Sequence, residues 1–383
     1  VERVEVKYQG EEYVELGFRT AKNHHVDAEA LTLLDMILDN SQAGLINLNL
    51  NQQQKVRRAG SSPSVMNDYG SQHLYGIPKE GQTLEEVEAL LLEQIELVKQ
   101  GKFEDWIIPA IVTDFKKSQK AGLESNYARV NSMRDAYQTF EDWDSAVATL
   151  DRIGRVTKED VVRVANKYFK GNYVAVHRID EQHEVPSVEK PLIEPINIDP
   201  SRQSDFAGGV LSMPFAEIEP TYVDMKKDFQ VVDYAEGVKL YYSPNPLNDL
   251  FSFSIAVDFG SQEDNNISMA TALLDKSGTA KFSSEDLKKE WYKLGSTFGI
   301  GAGDNESHIG ISGLDENFEA TLALMFEIVH NPKADAETLE VLKSIVLKSR
   351  DDAKKDPGSL SLAVGRYNRY GAESSFLRML TTE

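Results

Sequence analysis

"SMATALLDKSGTAKFSSEDL", residues 268–287, follows a strand-like run ending in Phe259-Gly260 and reads as one helix, a Gly-Thr turn and the start of another helix. The same pattern extends outward, with "FSFSIAVDFG" before it and "ESHIGISG", "NFEATLALMFEIVHNP" and "ADAETLEVLKSIVLKS" after it. An earlier part of the chain repeats the order: "EEYVELGFRT", "NHHVDAEALTLLDMILDN", a small-residue turn at Ala43-Gly44, "SQHLYGI", "TLEEVEALLLEQIELVKQG" and "FEDWIIPAIVTDFKK". Gly278 follows Gly44 by 234 positions, His308 follows His73 by 235 and Asp335 follows Glu104 by 231. Landmarks in constant order at a nearly constant offset are the signature of duplicated domains, here of roughly 230 residues.

Local signals agree with that reading. Thr83 can cap the helix that follows, with Glu86 three residues on completing a capping box, and Leu84, Val87, Leu91, Ile95 and Val98 fall on one face. Gly101 supplies a left-handed stop. In the second copy Phe318, Leu322, Met325 and Val329 form the equivalent stripe before Asn331-Pro332 breaks the helix. Strands followed by helix pairs that each bury one stripe predict an α+β layer architecture: two homologous domains, each a largely antiparallel or mixed β-sheet with helices on one face.

Composition sets the outer limits. The 383 residues exceed what one hydrophobic core usually serves, so two domains are expected, and 41% hydrophobic content fits ordinary globular cores. A net charge of −21 repels phosphate backbones and anionic lipid, which disfavours nucleic acid and membrane-surface partners and leaves basic or extended peptides open. No run of 18 apolar residues occurs, so no membrane span is expected in this segment. Zero cysteines removes thiol nucleophiles, disulfides and Cys-type zinc sites, and fits a cytoplasmic or an envelope compartment. The start at Val1, already in the alternating run "VERVEVKY", and the stop in "SSFLRMLTTE" read as those of an excised piece. Residues 180–220, with six prolines and no helical period, read as an extended surface connector.

The run from "FSFSIAVDFGSQED" through "SGTAKFSSEDLKKEWYKLGSTFGIGAGDNESHIGISG" to "NPKADAETLEVLKS" resembles the first domain of a half-molecule in the pitrilysin/insulinase family of inverted-motif zinc peptidases. Residues 1–178 resemble the second domain of such a half, through "VELGFRTAKNHHVDAEALTLLDMIL" and "RVTKEDVVRVANKYF". The resemblance implies a chain made of the second and third of four domains: 1–179 a second-type domain, 180–220 the connector between half-molecules, and 221–383 a first-type domain truncated at its C-terminus. In such enzymes H-x-x-E-H on a helix and a distant Glu hold zinc, and the motif Glu acts as general base. Here the positions for His, Glu and His carry Met269, Ala272 and Leu273, and the downstream helix offers only Lys348 and Ser349. The offset of 234 lands on Asp35, Leu38 and Asp39 in the first copy. No catalytic residue, metal ligand or cofactor is therefore expected in this segment, and zinc is expected in an N-terminal domain outside it.

Other clusters favour structural readings. His24, His25, Asp27 and Glu29 in "NHHVDAE" could gather around a transition metal, but adjacent side chains in such a loop point apart. His177, Glu181 and His183 are separated by extended geometry. The glycines of "FGIGAGDN" alternate with apolar residues and lack a following Lys-Ser/Thr, which favours close sheet packing over a phosphate loop. His73 and His308 read as structural strand residues, and Met325, Phe326 and Trp106 as core.

Three functions follow for comparison. The first is the non-catalytic chamber wall and hinge of a zinc endopeptidase, acting on peptide or unfolded protein together with the remaining domains of the same polypeptide or a partner subunit. The second is a catalytically silent scaffold or partner subunit, and the third a peptide-binding module that pairs with extended segments along sheet edges. An H-x-x-E-H motif about 190 to 230 residues upstream of Val1 would select the first. The family and the lack of cysteine point to a bacterial envelope or periplasmic setting, with the cytoplasm as the alternative.

Overall fold

The computed structural model describes residues 1–182 and 188–379. The chain divides into two compact units, Val1–His183 with Leu247–Glu383, and Glu184–Pro246.

The first part of the larger unit runs β1 (Glu2–Lys7), β2 (Tyr13–Thr20), α1 (Ala28–Leu38), β3 (Arg58–Val65), β4 (Gly70–Ile77), α2 (Leu84–Lys99), α3 (Ile107–Gly122), α4 (Asn126–Gln138), α5 (Trp143–Val147), α6 (Thr149–Ile153), α7 (Lys158–Tyr168) and β5 (Tyr173–Ile179). Its five strands lie in the order β1-β5-β2-β4-β3, with β1 parallel to β5 and the other pairs antiparallel. Alternation in β2 sends Val14, Leu16 and Phe18 to the buried face. Leu16 stands opposite Leu74 and Ala175, so three strands contribute to one apolar row. Helices α1, α2 and α7 cover that row with Leu33, Leu34, Ile37, Val87, Leu91, Ile95, Val161 and Val164. Thr83 and Glu86 form the reciprocal capping box, and Gly101 takes φ +66°, a conformation costly for residues with a Cβ. The opposite sheet face is open, and there Arg19 stacks over Tyr69 at 4.0 Å.

Asp27 ties the start of α1 to α7. Its carboxylate is 1% exposed and accepts hydrogen bonds from Arg163 Nη1 (2.7 Å), Lys167 Nζ (2.5 Å) and the Tyr168 hydroxyl (2.8 Å). Burial acts to raise its pKa, but these donors outweigh it and hold the group well below the usual carboxylate range. A depressed folded-state pKa adds stability that is present above the unfolded value of about 4 and is lost as pH falls through the lower folded value. Because Arg163 and Lys167 are about half exposed, Asp27→Asn should lower stability at pH 7 by only about 1–2 kcal/mol. Urea unfolding from pH 7 to 2 should show the gap between the two proteins closing toward the acid end.

The smaller unit contains α8 (Asp205–Leu211) and a hairpin of β6 (Gln230–Ala235) and β7 (Val238–Tyr242) turned at Gly237. The reading of 180–220 as wholly extended is corrected by α8, which Ser204 Oγ caps by accepting from the Ala207 N–H. Two glycines in "DFAGGVL" hide the helical period, and the cap sets the start.

The remainder of the larger unit runs β8 (Leu250–Val257), α9 (Ile267–Lys276), β9 (Gly278–Thr279), α10 (Ser284–Lys293), β10 (Thr297–Ala302), β11 (Ser307–Leu314), α11 (Phe318–His330), β12 (Pro332–Lys333), α12 (Ala336–Ala353) and α13 (Pro357–Tyr370). Strands β10-β11-β8 form an antiparallel sheet in the same relative order as β3-β4-β2. The fold is α+β, with mixed and antiparallel sheets and helices packed on them.

Three details differ from expectation. The buried face of α11 is Thr321, Met325 and Ile328, with Leu322 and Val329 only half-buried, because the helix docks on Leu287, Trp291 and Ile311 with its stripe rotated by one residue. Phe326 is 42% exposed and stacks on His330 rather than entering the core, and Trp106 packs against the first core only in part. "FGIGAGDN" contains strand β10, but a Cβ added at Gly299 would meet nothing, so close packing does not explain that glycine.

Candidate functional site

The residues expected at the degenerate motif positions fall on α1, its C-cap and α9, the helices that follow β2 and β8. On α1, Asp35 is buried and accepts from Ser61 Oγ and Gln72 Nε2, each at 2.5 Å. Burial, reinforced by the charge of Asp39, pushes the Asp35 carboxyl up despite these donors. Asp39 accepts from Asn47 Nδ2 (2.8 Å) and the Ser61 N–H (3.0 Å), while Leu38 lies wholly in the hydrophobic core. Each carboxylate is thus engaged with amides or hydroxyls, and the residue between them is apolar.

On α9, Met269, Ala272 and Leu273 are half-buried and offer neither nitrogen nor carboxylate. Met269 faces a cleft shared with Val346 and Arg350 of α12. Lys348, near the expected third ligand, is bound to Asp352 at 2.7 Å, and Ser349 is one residue on in α12. Asp352 also accepts from Arg57 Nη1 at 2.6 Å, and Arg57 contacts Glu11 as well, so α12 is pinned to the first sheet. Neither donor set fits a zinc ion, which takes three or four nitrogen, sulfur or carboxylate ligands converging at about 2.0–2.3 Å.

The histidine pairs do not converge. His24, held at φ +56°, lies 3.7 Å from Glu141, whereas His25 Nδ1 accepts the Asp27 N–H at 3.1 Å. Glu29 pairs with Arg152 at 2.6 Å. His177 is buried against Glu88 at 2.9 Å, and Glu181 pairs with Lys7 at 2.8 Å; His183 lies outside the described residues. His73 bridges Ser71 and Glu15 on the open sheet face, and His308 is exposed on β11. Among the described residues no group of three or more His, Cys, Asp or Glu side chains is placed to hold a metal ion.

Sequence reading missed two features. One is the buried cluster in which Glu88 of α2 accepts from Arg3 (2.9 Å) and the Tyr173 hydroxyl (2.9 Å) besides pairing with His177. The other is the grouping of arginines near α13. Both join residues far apart in sequence, and the only advance signal was Glu88 within the apolar helical stripe.

Helices α1 and α9 thus belong to an α+β fold and, among the described residues, carry no convergent set of metal ligands. Residues 2–114 match the family model described as Peptidase M16 inactive domain. No curated protein matches the chain. Among solved structures, a protease from Helicobacter pylori is 20% identical over 46% of this chain and 44% of its own, with a TM-score of 0.44. A mutant of the ferredoxin protease FusC, in complex with Arabidopsis ferredoxin, is 13% identical over 100% of this chain and 47% of its own, with a TM-score of 0.45. The periplasmic protease PqqL from Escherichia coli is 10% identical over 97% and 44%, with a TM-score of 0.38. The chain therefore spans less than half the length of the structures it matches. Among the described residues no helix is long and apolar enough to cross a membrane.

Proposed function

We propose that the chain is the non-catalytic middle portion of a zinc endopeptidase of the M16 type. Residues 1–179 act as a second-type domain, 180–220 as the connector and hinge between half-molecules, and 221–383 as a first-type domain without its metal. What supports this reading is that Asp35 and Leu38 in α1, Asp39 at its C-cap, and Met269, Ala272 and Leu273 in α9 offer no convergent metal ligands, in a chain whose residues 2–114 match the M16 inactive-domain model. Its role is to form a chamber wall around an extended peptide or unfolded protein, while zinc and the general base reside in another domain of the same polypeptide or in a partner subunit. A bacterial envelope setting accords with this reading.

Dialysed protein should retain less than stoichiometric zinc and leave an unfolded polypeptide uncleaved. Metal analysis and a gel-based cleavage assay check both points. One tightly held zinc per chain, released by replacing His24 and His25, would overturn the proposal. Zinc-free protein together with an upstream reading frame lacking H-x-x-E-H would favour the silent partner subunit instead.

A further inference from the structure

The four arginines that follow Arg202 in the sequence are Arg350, Arg366, Arg369 and Arg378, and all four line two adjoining clefts of 1040 and 440 Å³. The clefts share Arg366 and Arg378, and α13 places Arg366 and Arg369 three residues apart on one face. Among the described residues only two acidic side chains, Asp304 and Glu373, line the same space, and neither pairs with Arg366, Arg369 or Arg378. In a chain of net charge −21, such a concentration of guanidinium groups is the reverse of the general surface.

The cleft wall also contains unmet hydrogen-bonding capacity. Arg378 Nε is buried without a partner among the described residues. Buried donors left unpaired are costly until an acceptor reaches them. Arg366 is held in place by its Nη1 donating to Ser375 Oγ at 2.9 Å, and Arg369 stacks over Tyr370 at 5.4 Å, an arrangement that leaves in-plane N–H groups free to donate.

We infer that this cleft is a carboxylate-binding site that takes acidic peptides. Arginine forks match carboxylates in bidentate geometry, and the apolar atoms of Met269, Leu362 and Tyr370 between them suit peptide side chains better than a lone inorganic anion. The net negative charge of the whole chain predicts a preference for basic peptides, so attraction for acidic ones must be local to the cleft. The inference holds whether or not the parent protein cleaves peptides.

Isothermal titration of the full chain tests it with three peptides. The first is an N-acetylated, C-terminally amidated peptide of alternating Glu and Leu, the second its Gln-for-Glu counterpart, and the third that counterpart with a free C-terminal carboxylate. The Glu peptide should bind and the amidated Gln peptide should not; binding of the free-terminus peptide would identify the chain end as a sufficient source of the same group. Arg366→Gln with Arg369→Gln should weaken Glu-peptide binding by about tenfold or more. Arg202→Gln, in the other unit, should leave it within about twofold. If circular dichroism shows the double variant to be misfolded, Arg369→Gln alone should still weaken binding by about threefold. Equal binding of the amidated Gln peptide, no binding of any peptide, or unchanged affinity in a folded arginine variant would overturn the inference.

Discussion

Arg57→Ala should lower the unfolding free energy of the larger unit by about 3–5 kcal/mol. Arg57 and Asp352 are 295 residues apart in sequence, yet their side chains are only 5% and 7% exposed and meet at 2.6 Å. Burial works to raise the Asp352 pKa, and the hydrogen bonds from Lys348 and Arg57 overcome it and keep the carboxylate charged. Removing Arg57 leaves that buried charge with Lys348 alone and frees Glu11, so the loss reflects an undercompensated buried charge more than the strength of one pair. The distinguishing partner experiment is Arg57→Met with Asp352→Leu. Replacing both charges with apolar groups of similar length should recover most of the lost stability. Urea unfolding of the two single variants and the double variant gives the coupling energy directly. A loss below about 1 kcal/mol for Arg57→Ala would mean the pair behaves as a solvated surface contact. The consequence is mechanical: this pair and the Lys355–Asp180 bridge at 2.5 Å hold α12 and its neighbourhood to the first sheet.

Glu88→Ala should cost about 3 kcal/mol, the second largest effect expected. Glu88 is 2% exposed, and its loss strands the buried His177 ring and the Tyr173 hydroxyl without their acceptor. Arg3, largely exposed, also loses its partner, and with it β1 loses its side-chain anchor to α2. Burial favours the neutral acid at Glu88, but the hydrogen bonds from Arg3, His177 and Tyr173 prevail and lower its pKa. Its contribution is accordingly complete above the unfolded glutamate value of about 4.3 and disappears as pH falls through the lower folded value. Glu88→Gln keeps the shape and removes the charge, so its deficit relative to the parent should be largest near neutrality and shrink below pH about 4. Denaturant midpoints measured from pH 7 to 3 decide this, and a deficit that does not change with pH would assign the effect to packing alone.

Much of the architecture was legible because it rests on local rules. The capping box at Thr83 and Glu86, the apolar stripe of α2 and the left-handed Gly101 are short-range features, and the structure places all of them as read. The shared order β3-β4-β2 and β10-β11-β8 was implicit in the repeat offsets, since a conserved sequence of elements at fixed spacing constrains how strands can pair. That Met269, Ala272 and Leu273 offer neither nitrogen nor carboxylate to a metal was likewise legible, because a residue's donor chemistry needs no coordinates.

Contacts between distant residues were beyond it. Phe326 and Ile328 are both apolar and two positions apart, and only docking against Trp291 and Ile311 decided that Ile328 enters the core and Phe326 does not. Glu88 breaks an otherwise apolar face, and its meaning depended on Arg3, Tyr173 and His177 arriving from strands 85 or more residues away. Arg57 and Asp352 carry no local mark of burial, and the four arginines around α13 are spread over 29 positions of sequence. Periodicity and capping act through neighbours along the chain, whereas burial of charge and the grouping of like charges are set by which surfaces the folded chain brings together. The sequence therefore determined the elements and the donor chemistry of each helix, and the tertiary structure alone decided the ion-pair anchors and the arginine cleft.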